Sequence, residues 1–159
     1  MKEFESNNQE LLPLIEEWEK KFLALSEDVI SNRRNSQNRN IKQVVGHMID
    51  SASNNTHRII HLQYRESPVK FPNYATYGNN DRWIAIQNYE NEDWYNMVQL
   101  WKYSNLHIIH VIRNVDGSKL ENLWEADTDK FISLHNGIAD YTSHFKLHIR
   151  EIEELINQK

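Results

Sequence analysis

Histidines one helical turn apart are the residues of this sequence whose type and spacing most directly permit chemistry. The chain contains eight histidines, and two pairs lie at i, i+4, which places both imidazoles on one face of a helix: His57 with His61, and His144 with His148. Neutral imidazole binds zinc and other borderline divalent metals, and it also acts as an acid or a base. Such pairs also arise by chance, so spacing alone does not identify a site.

The helical wheel separates seven of these histidines into two groups. At about 100° per residue, one group falls opposite the apolar stripe of its helix and is predicted to face solvent. This group comprises His57, His61, His107 and His110. The other group lies on the flank of the apolar stripe, where side chains enter a helical bundle. This second group comprises His47, His144 and His148, and these three are predicted to converge.

Three converging imidazoles are a ligand set for one divalent metal and leave a coordination position open. The reacting group is then a metal-bound water or a thiolate, and the thiol must be external because the chain has no cysteine. The segment between His144 and His148 lacks the glutamate of a His-Glu-x-x-His helix, so a zinc protease is not expected. Ordinary half-buried histidines with hydrogen-bond partners are the alternative, and the residues alone do not decide between the two.

A polar strip continues along the flank of the helix that carries His47. Ser51, Asn54 and Arg58 are candidates for a substrate pocket, with Arg58 suited to a carboxylate; alternatively, they bond across helices or face water. Asp50 and Asp140 lie about one turn from His47 and His144. They are candidate acceptors for ring N–H groups, or else exposed partners of neighbouring charges.

The elements that position these residues are predicted to be four amphipathic helices with a long crossover between the second and the third. Their only way to bury four apolar stripes is against one another, which predicts an all-α four-helix bundle in a single domain, residues 1–159. Trp18 and Trp101 lie on the stripes and are predicted to be buried. The predicted elements are helices over 11–31, 41–64, from 91–93 to 116–117, and 133–157; a polar loop over 31–40; a short helix over 81–88 capped by Asn80 or Asp81; and a loop around Trp124.

Composition and charge limit the classes of molecule that this protein is expected to bind. A net charge of -5 argues against nucleic acid as the main partner. The arginines of the polar loop, Arg33, Arg34 and Arg39, are the one feature that favours DNA, and we expect them to be solvated. No apolar run approaches a membrane span, and residues 1–10 are too polar for a signal peptide, so we expect a cytoplasmic protein that acts on a small molecule.

Three segments resemble one known family, the DinB/YfiT-like superfamily. Residues 45–55, followed by Arg58, are similar to its second helix, residues 141–149 to its final helix, and residues 74–89 to the stretch between them. The resemblance implies a four-helix bundle with a long second crossover, often a homodimer. It also implies a divalent metal, zinc or nickel, at the positions of His47, His144 and His148.

Two classes of function follow from the resemblance and the residues. The first is a metal-dependent enzyme: a transferase that activates a low-molecular-weight thiol for attack on an electrophile, like the bacillithiol S-transferases and the mycothiol-dependent maleylpyruvate isomerase of this family, or a hydrolase. The alternative is a non-catalytic, metal-binding or stress-related interaction bundle. That alternative requires a closed site with a fourth protein ligand such as Asp50.

Overall fold

Four long helices form the bundle of this protein, for which we obtained a computed structural model. The structure describes residues 4–158, apart from the side chains of residues 6 and 7. The long helices are α1 (Glu5–Leu23), α3 (Ile41–Tyr64), α5 (Trp94–Arg113) and α6 (Leu134–Asn157); two shorter helices are α2 (Glu27–Asn32) and α4 (Asn79–Gln87). The predicted four-helix bundle is therefore confirmed.

The order of the helices around the bundle places α3 beside α6. Both α1 and α3 pack against α5 and α6, so the order around the bundle is α1, α5, α3, α6. This arrangement brings together the two helices that carry the candidate histidines, although they are separated in the chain by α4 and α5. One apolar core lies between the four helices, and Trp18 and Trp101 belong to it as predicted, with exposed fractions of 3% and 0%.

The helix predicted over residues 11–31 is two helices rather than one. It begins earlier, at Glu5, and the chain leaves the helical path after Leu23. Ser26 then starts α2 by accepting a hydrogen bond from the Val29 backbone N–H. The prediction was wrong because Leu25 and Val29 continue the apolar spacing of α1 across this break, and periodicity does not detect a turn that preserves it.

The polar loop before α3 holds Arg33 and Arg39 in contacts with the protein, which corrects the prediction that they are solvated, whereas Arg34 is exposed as predicted. Arg39 is 5% exposed and pairs with Asp81 at 2.6 Å. Arg33 donates to the carbonyls of Leu155 and Ile156, where the negative end of α6 favours a cation. Arg34 pairs with Glu90 at 2.8 Å. These contacts bind the loop to α4, to the crossover and to the end of α6.

The crossover over residues 65–93 contains α4, close to the predicted short helix. Its N-cap is Gly78, which adopts the left-handed conformation at φ 72°, and neither Asn80 nor Asp81 caps it. Asp81 is instead the partner of Arg39. The longer helices begin close to where they were predicted to begin, and the side chains of Asp93 and Ser133 cap α5 and α6.

A small three-stranded sheet replaces the loop expected around Trp124. Strand β2 (Leu123–Asp127) pairs in parallel with β1 (Val69–Lys70) and antiparallel with β3 (Lys130–Ser133). Strand β2 alternates inward and outward positions, but only Trp124 and Ala126 are buried. A signal that short is weak, which is why the hairpin was missed.

A glycine on α3 allows a tyrosine from the crossover to lie directly against the helix. A Cβ built on Gly46 would stand 2.2 Å from Cδ2 of Tyr89, closer than any real contact. Tyr89 is 4% exposed, and its hydroxyl donates to Asp50 Oδ1 at 2.8 Å. Within residues 4–158, no helix combines the length and the apolar character that crossing a membrane requires.

Candidate metal centre

Three histidines from α3 and α6 meet inside the bundle. His47 comes from the first half of α3, and His144 and His148 lie one turn apart on α6. Each offers one ring nitrogen to a group of atoms that all lie within 4.8 Å of one another. His47 and His148 are buried, and His144 is half-buried. The structure thus brings together the three histidines that the helical wheel selected.

The hydrogen bonds of the cluster orient two of the three rings. Nδ1 of His148 lies 2.7 Å from Oε2 of Glu151, and since a carboxylate only accepts, this nitrogen carries the proton. Nε2 of His148 then has a free lone pair, and it lies 3.1 Å from Nε2 of His144. Nδ1 of His144 lies 3.4 Å from Oγ of Ser51. Two nitrogens therefore face each other while their opposite sides are held by the protein.

His47 contributes a buried ring nitrogen without a partner. Its Nδ1 has no hydrogen-bond partner among the described residues, although its ring centroid lies 4.6 Å from that of His148 and 5.4 Å from that of His144. A buried polar atom left unpaired costs about 1–3 kcal/mol. Coordination of a metal ion through Nδ1 would offset this cost.

Burial keeps His47 and His144 in their uncharged form. It lowers the pKa of His47 to about 3, with further lowering by the neighbouring His148, His144 and Arg39. Burial likewise lowers the pKa of His144 to about 4, together with the adjacent His148. Both imidazoles are therefore neutral at neutral pH, and the neutral form is the one that binds metal.

The cluster fits a divalent metal. Zinc–nitrogen bonds of about 2.0–2.1 Å in tetrahedral geometry place two ligand nitrogens roughly 3.3 Å apart, close to the separation of the facing Nε2 atoms. Three imidazoles leave a fourth position for an exogenous ligand. The carboxylate on His148 is the outer partner that metal-binding histidines commonly have, because it fixes the tautomer and the ring plane.

The acceptor of a histidine ring N–H in the cluster is Glu151, which was not predicted from the sequence. Asp50 and Asp140 were predicted for this role. Glu151 lies three residues after His148 on α6, so the i, i+3 spacing was the available signal. Burial raises the pKa of Glu151, but the bonds from His148 and Asn35 outweigh burial and hold the pKa below its usual value. Glu151 is therefore an anion at neutral pH and accepts a hydrogen bond from Nδ1–H of His148.

The two aspartates lie elsewhere. Asp50 is buried, and its Oδ1 accepts hydrogen bonds from Gln87 and from Tyr89, each at 2.8 Å, instead of bonding an imidazole. Asp140 is exposed on α6 at the edge of a cavity. Neither residue belongs to the group of atoms that surrounds the candidate metal position.

A cavity of about 300 Å³ adjoins the cluster on the side of His144. Ser51 and Arg58 line it, as does Asn55, whereas Asn54 faces a separate depression and donates to the Asp50 carbonyl at 2.9 Å. Two further walls come from segments that the sequence analysis did not connect to the site. Tyr74 reaches the cavity from the crossover, and Trp124 reaches it from β2.

The remaining histidine pairs stay at the surface. His57, His107 and His110 are exposed, as predicted. His61 is half-buried, because its ring lies against those of Tyr64 and Phe71 at centroid distances of 5.2 Å.

Comparison with known proteins gives one similar structure. No family model and no curated protein matches the sequence. Among solved structures, the chain is similar to YfiT from Bacillus subtilis, described as a probable metal-dependent hydrolase with an unusual four-helix bundle topology. The match has a TM-score of 0.76 at 19% identity and covers 95% of this chain and 86% of YfiT. The chain therefore has the YfiT-like fold that its sequence resemblance implied.

Proposed function

We propose that this protein is a metal-dependent enzyme in which His47, His144 and His148 hold one divalent ion, with zinc and nickel as the candidates. Its substrate is a small molecule bound in the cavity beside His144. The observation that carries the proposal is the convergence, inside the bundle, of one ring nitrogen from each of three histidines. The similarity of this protein's fold to that of YfiT, which is described as a probable metal-dependent hydrolase, supports the proposal.

Residues of the chain prepare this site for chemistry. A bound divalent ion supplies Lewis acidity and lowers the pKa of a water or thiol that it binds. Glu151 accepts a hydrogen bond from Nδ1–H of His148, and Nε2 of the same ring therefore faces His144. Ser51 holds the opposite side of His144. Tyr74, 5% exposed, lies over His47 at a centroid distance of 5.9 Å and shields the cluster from bulk water.

An open coordination position favours an enzyme over the non-catalytic alternative. A closed structural site needs a fourth protein ligand. Asp50 was expected in that role, but its Oδ1 accepts hydrogen bonds from Gln87 and Tyr89. Asp50 also lies outside the group of candidate ligand atoms. Within residues 4–158, the histidine cluster holds three candidate donors. One position is therefore left for water, thiol or substrate.

Hydrolysis is the first reaction to test, because YfiT is described as a probable hydrolase. Transfer of an external low-molecular-weight thiol, which the sequence resemblance implies, is the second candidate, and the absence of cysteine from the chain fits a thiol that comes from outside. The two differ in one requirement. A hydrolase turns over a p-nitrophenyl ester without thiol, whereas the transferase consumes an electrophile such as 1-chloro-2,4-dinitrobenzene only when a thiol such as cysteine is added.

Metal content tests the proposal directly. We expect untagged protein, purified without chelator, to carry about one equivalent of a divalent metal by elemental mass spectrometry, and His144→Ala to carry little while keeping its helical circular dichroism. His110→Ala is the matched control, because His110 is exposed on α5. Equal metal in all three proteins, or none in wild type after reconstitution with zinc or nickel, would contradict the proposal.

The assembly and location of the chain stay predictions. A homodimer is expected from the family resemblance, and a cytoplasmic location and a single domain over residues 1–159 are expected from the sequence. Sedimentation of the purified protein tests the first of these.

A further inference from the structure

Arg58 is a half-buried cation that lacks an anionic partner in the described part of the chain. It projects from α3 into the cavity beside His144, and only its Nη1 has a protein partner in the described part of the chain, the side-chain oxygen of Asn55 at 2.8 Å. Its Nε is buried and unpaired. A guanidinium taken out of water without a carboxylate is costly unless a ligand supplies the missing charge.

The guanidinium is held in a fixed plane. Its Cζ lies 3.6 Å from the ring centroid of Trp124, which is 5% exposed, and Trp124 is in turn fixed by a bond from Nε1 to the Phe71 carbonyl at 2.9 Å. Stacking of this kind leaves the edge of the guanidinium, with its N–H groups, free for a planar acceptor. A carboxylate matches that edge with two parallel hydrogen bonds.

The other charges around the cavity do not neutralise Arg58. Lys130 and Asp140 are exposed residues of the lining and oppose each other in sign. The cavity is therefore cationic in a protein whose net charge is -5. A small anion is attracted to this cavity more than to the rest of the surface.

A line of hydrogen bonds connects Arg58 to the histidine cluster. Arg58 bonds Asn55, Asn55 Nδ2 lies 3.2 Å from Ser51 Oγ, and Ser51 bonds His144. Because Arg58 reaches back to the level of Asn55 and His144 lies beside Ser51, the guanidinium and the His144 ring are separated by roughly one helical turn, about 6 Å along α3. The cavity holds about ten water volumes, which corresponds to on the order of ten non-hydrogen atoms.

We infer that the substrate is a small carboxylate, bound by Arg58 through its carboxylate group, with its reacting group a few bonds away beside His144. Tyr74, Trp124 and Ile132 provide apolar walls for the body of such a molecule. This inference rests on the proposed function for the reacting end only. Recognition of the carboxylate by Arg58 requires no metal.

Binding of an acid and its neutral amide tests the inference. The probes are 3-phenylpropionate and 3-phenylpropionamide, titrated by calorimetry into protein stripped with EDTA. We expect wild type to bind the acid about 10- to 100-fold more tightly than the amide, the range for hydrogen bonds to a charged partner. Arg58→Met removes this preference, and Arg82→Met, the same change at an exposed arginine of α4, keeps it.

The inference would be overturned by equal binding of acid and amide by wild type, by absence of binding of both, by persistence of the preference in a folded Arg58→Met variant, or by loss of the preference in Arg82→Met. The comparison of acid with amide uses wild type alone, so it stands even if Arg58→Met fails to fold. A preference seen only after zinc or nickel is restored would assign the carboxylate to the metal instead of Arg58 and also overturn it. A preference in protein that never takes up metal would support the inference while the proposed function fails.

Discussion

Gly46 allows a quantitative test of how the crossover is packed on α3. In Gly46→Ala, the new Cβ meets the Tyr89 ring at 2.2 Å, so the buried ring must move by more than 1 Å to reach the ordinary contact distance of 3.4 Å or more. Overpacking of a well-packed site costs about 1–3 kcal/mol. Displacing the hydroxyl from Asp50 costs about 1 kcal/mol more, and alanine returns about 1 kcal/mol through helix propensity. The net expectation is a loss of about 1–3 kcal/mol.

Gly137→Ala is the matched control for this substitution. Gly137 lies within α6, and a Cβ built there meets no atom within 4 Å. The same change should therefore stabilise the protein by up to about 1 kcal/mol. Urea unfolding of metal-free protein, followed by circular dichroism, measures both variants. In a Tyr89→Ala background, Gly46→Ala should become stabilising, because the ring is gone. If Gly46→Ala alone were as stable as wild type, the close packing of Tyr89 on α3 would be refuted.

Two further expectations concern stability. Metal-free protein should lose stability as the pH falls below about 6.5: His47 and His144, with pKa values of about 3 and about 4, stay neutral when folded while the unfolded chain takes up protons. As the pH falls from the unfolded to the folded pKa of each histidine, the free energy of unfolding drops by about 1.4 kcal/mol per pH unit. The full contribution of each histidine is present above pH 6.5. Urea unfolding of EDTA-treated protein at pH 7.5, 5.5 and 4.5 checks this; a double His47→Gln, His144→Gln variant with the same slope as wild type would contradict it. Trp101→Ala should lower the free energy of unfolding by about 3–5 kcal/mol, because the side chain is 0% exposed in the core. A loss below about 1 kcal/mol in the same assay would contradict this and show that the surrounding core closes over the space left by the ring.

The helices that carry the site were predictable because their sequence signals are long. Helices α3 and α6 each run for 24 residues, so a stripe of apolar positions defined the buried face of each helix. This stripe placed His47 and both α6 histidines on the correct flank. Their N-caps, Asn40 and Ser133, have strong capping side chains.

The parts that were missed depend on contacts distant in sequence. Arg39 reads as one of several solvated arginines until Asp81 is brought to it by the crossover. Trp124 has too short a strand around it to show a period, and its place against Arg58 is fixed by the sheet rather than by a local pattern. Single-sequence periodicity carries no information about either pairing.

The order of the helices in the chain also has a consequence for biosynthesis. Two of the three clustered histidines lie in α6, the last helix, and they follow His47 by roughly a hundred residues, a long-range contact of the kind that forms late in folding. A growing chain that has not yet released α6 from the ribosome presents one of these histidines alone. The three-histidine cluster can therefore form only once synthesis has passed α6, and a chain stalled before that helix would offer one of its three ligand atoms.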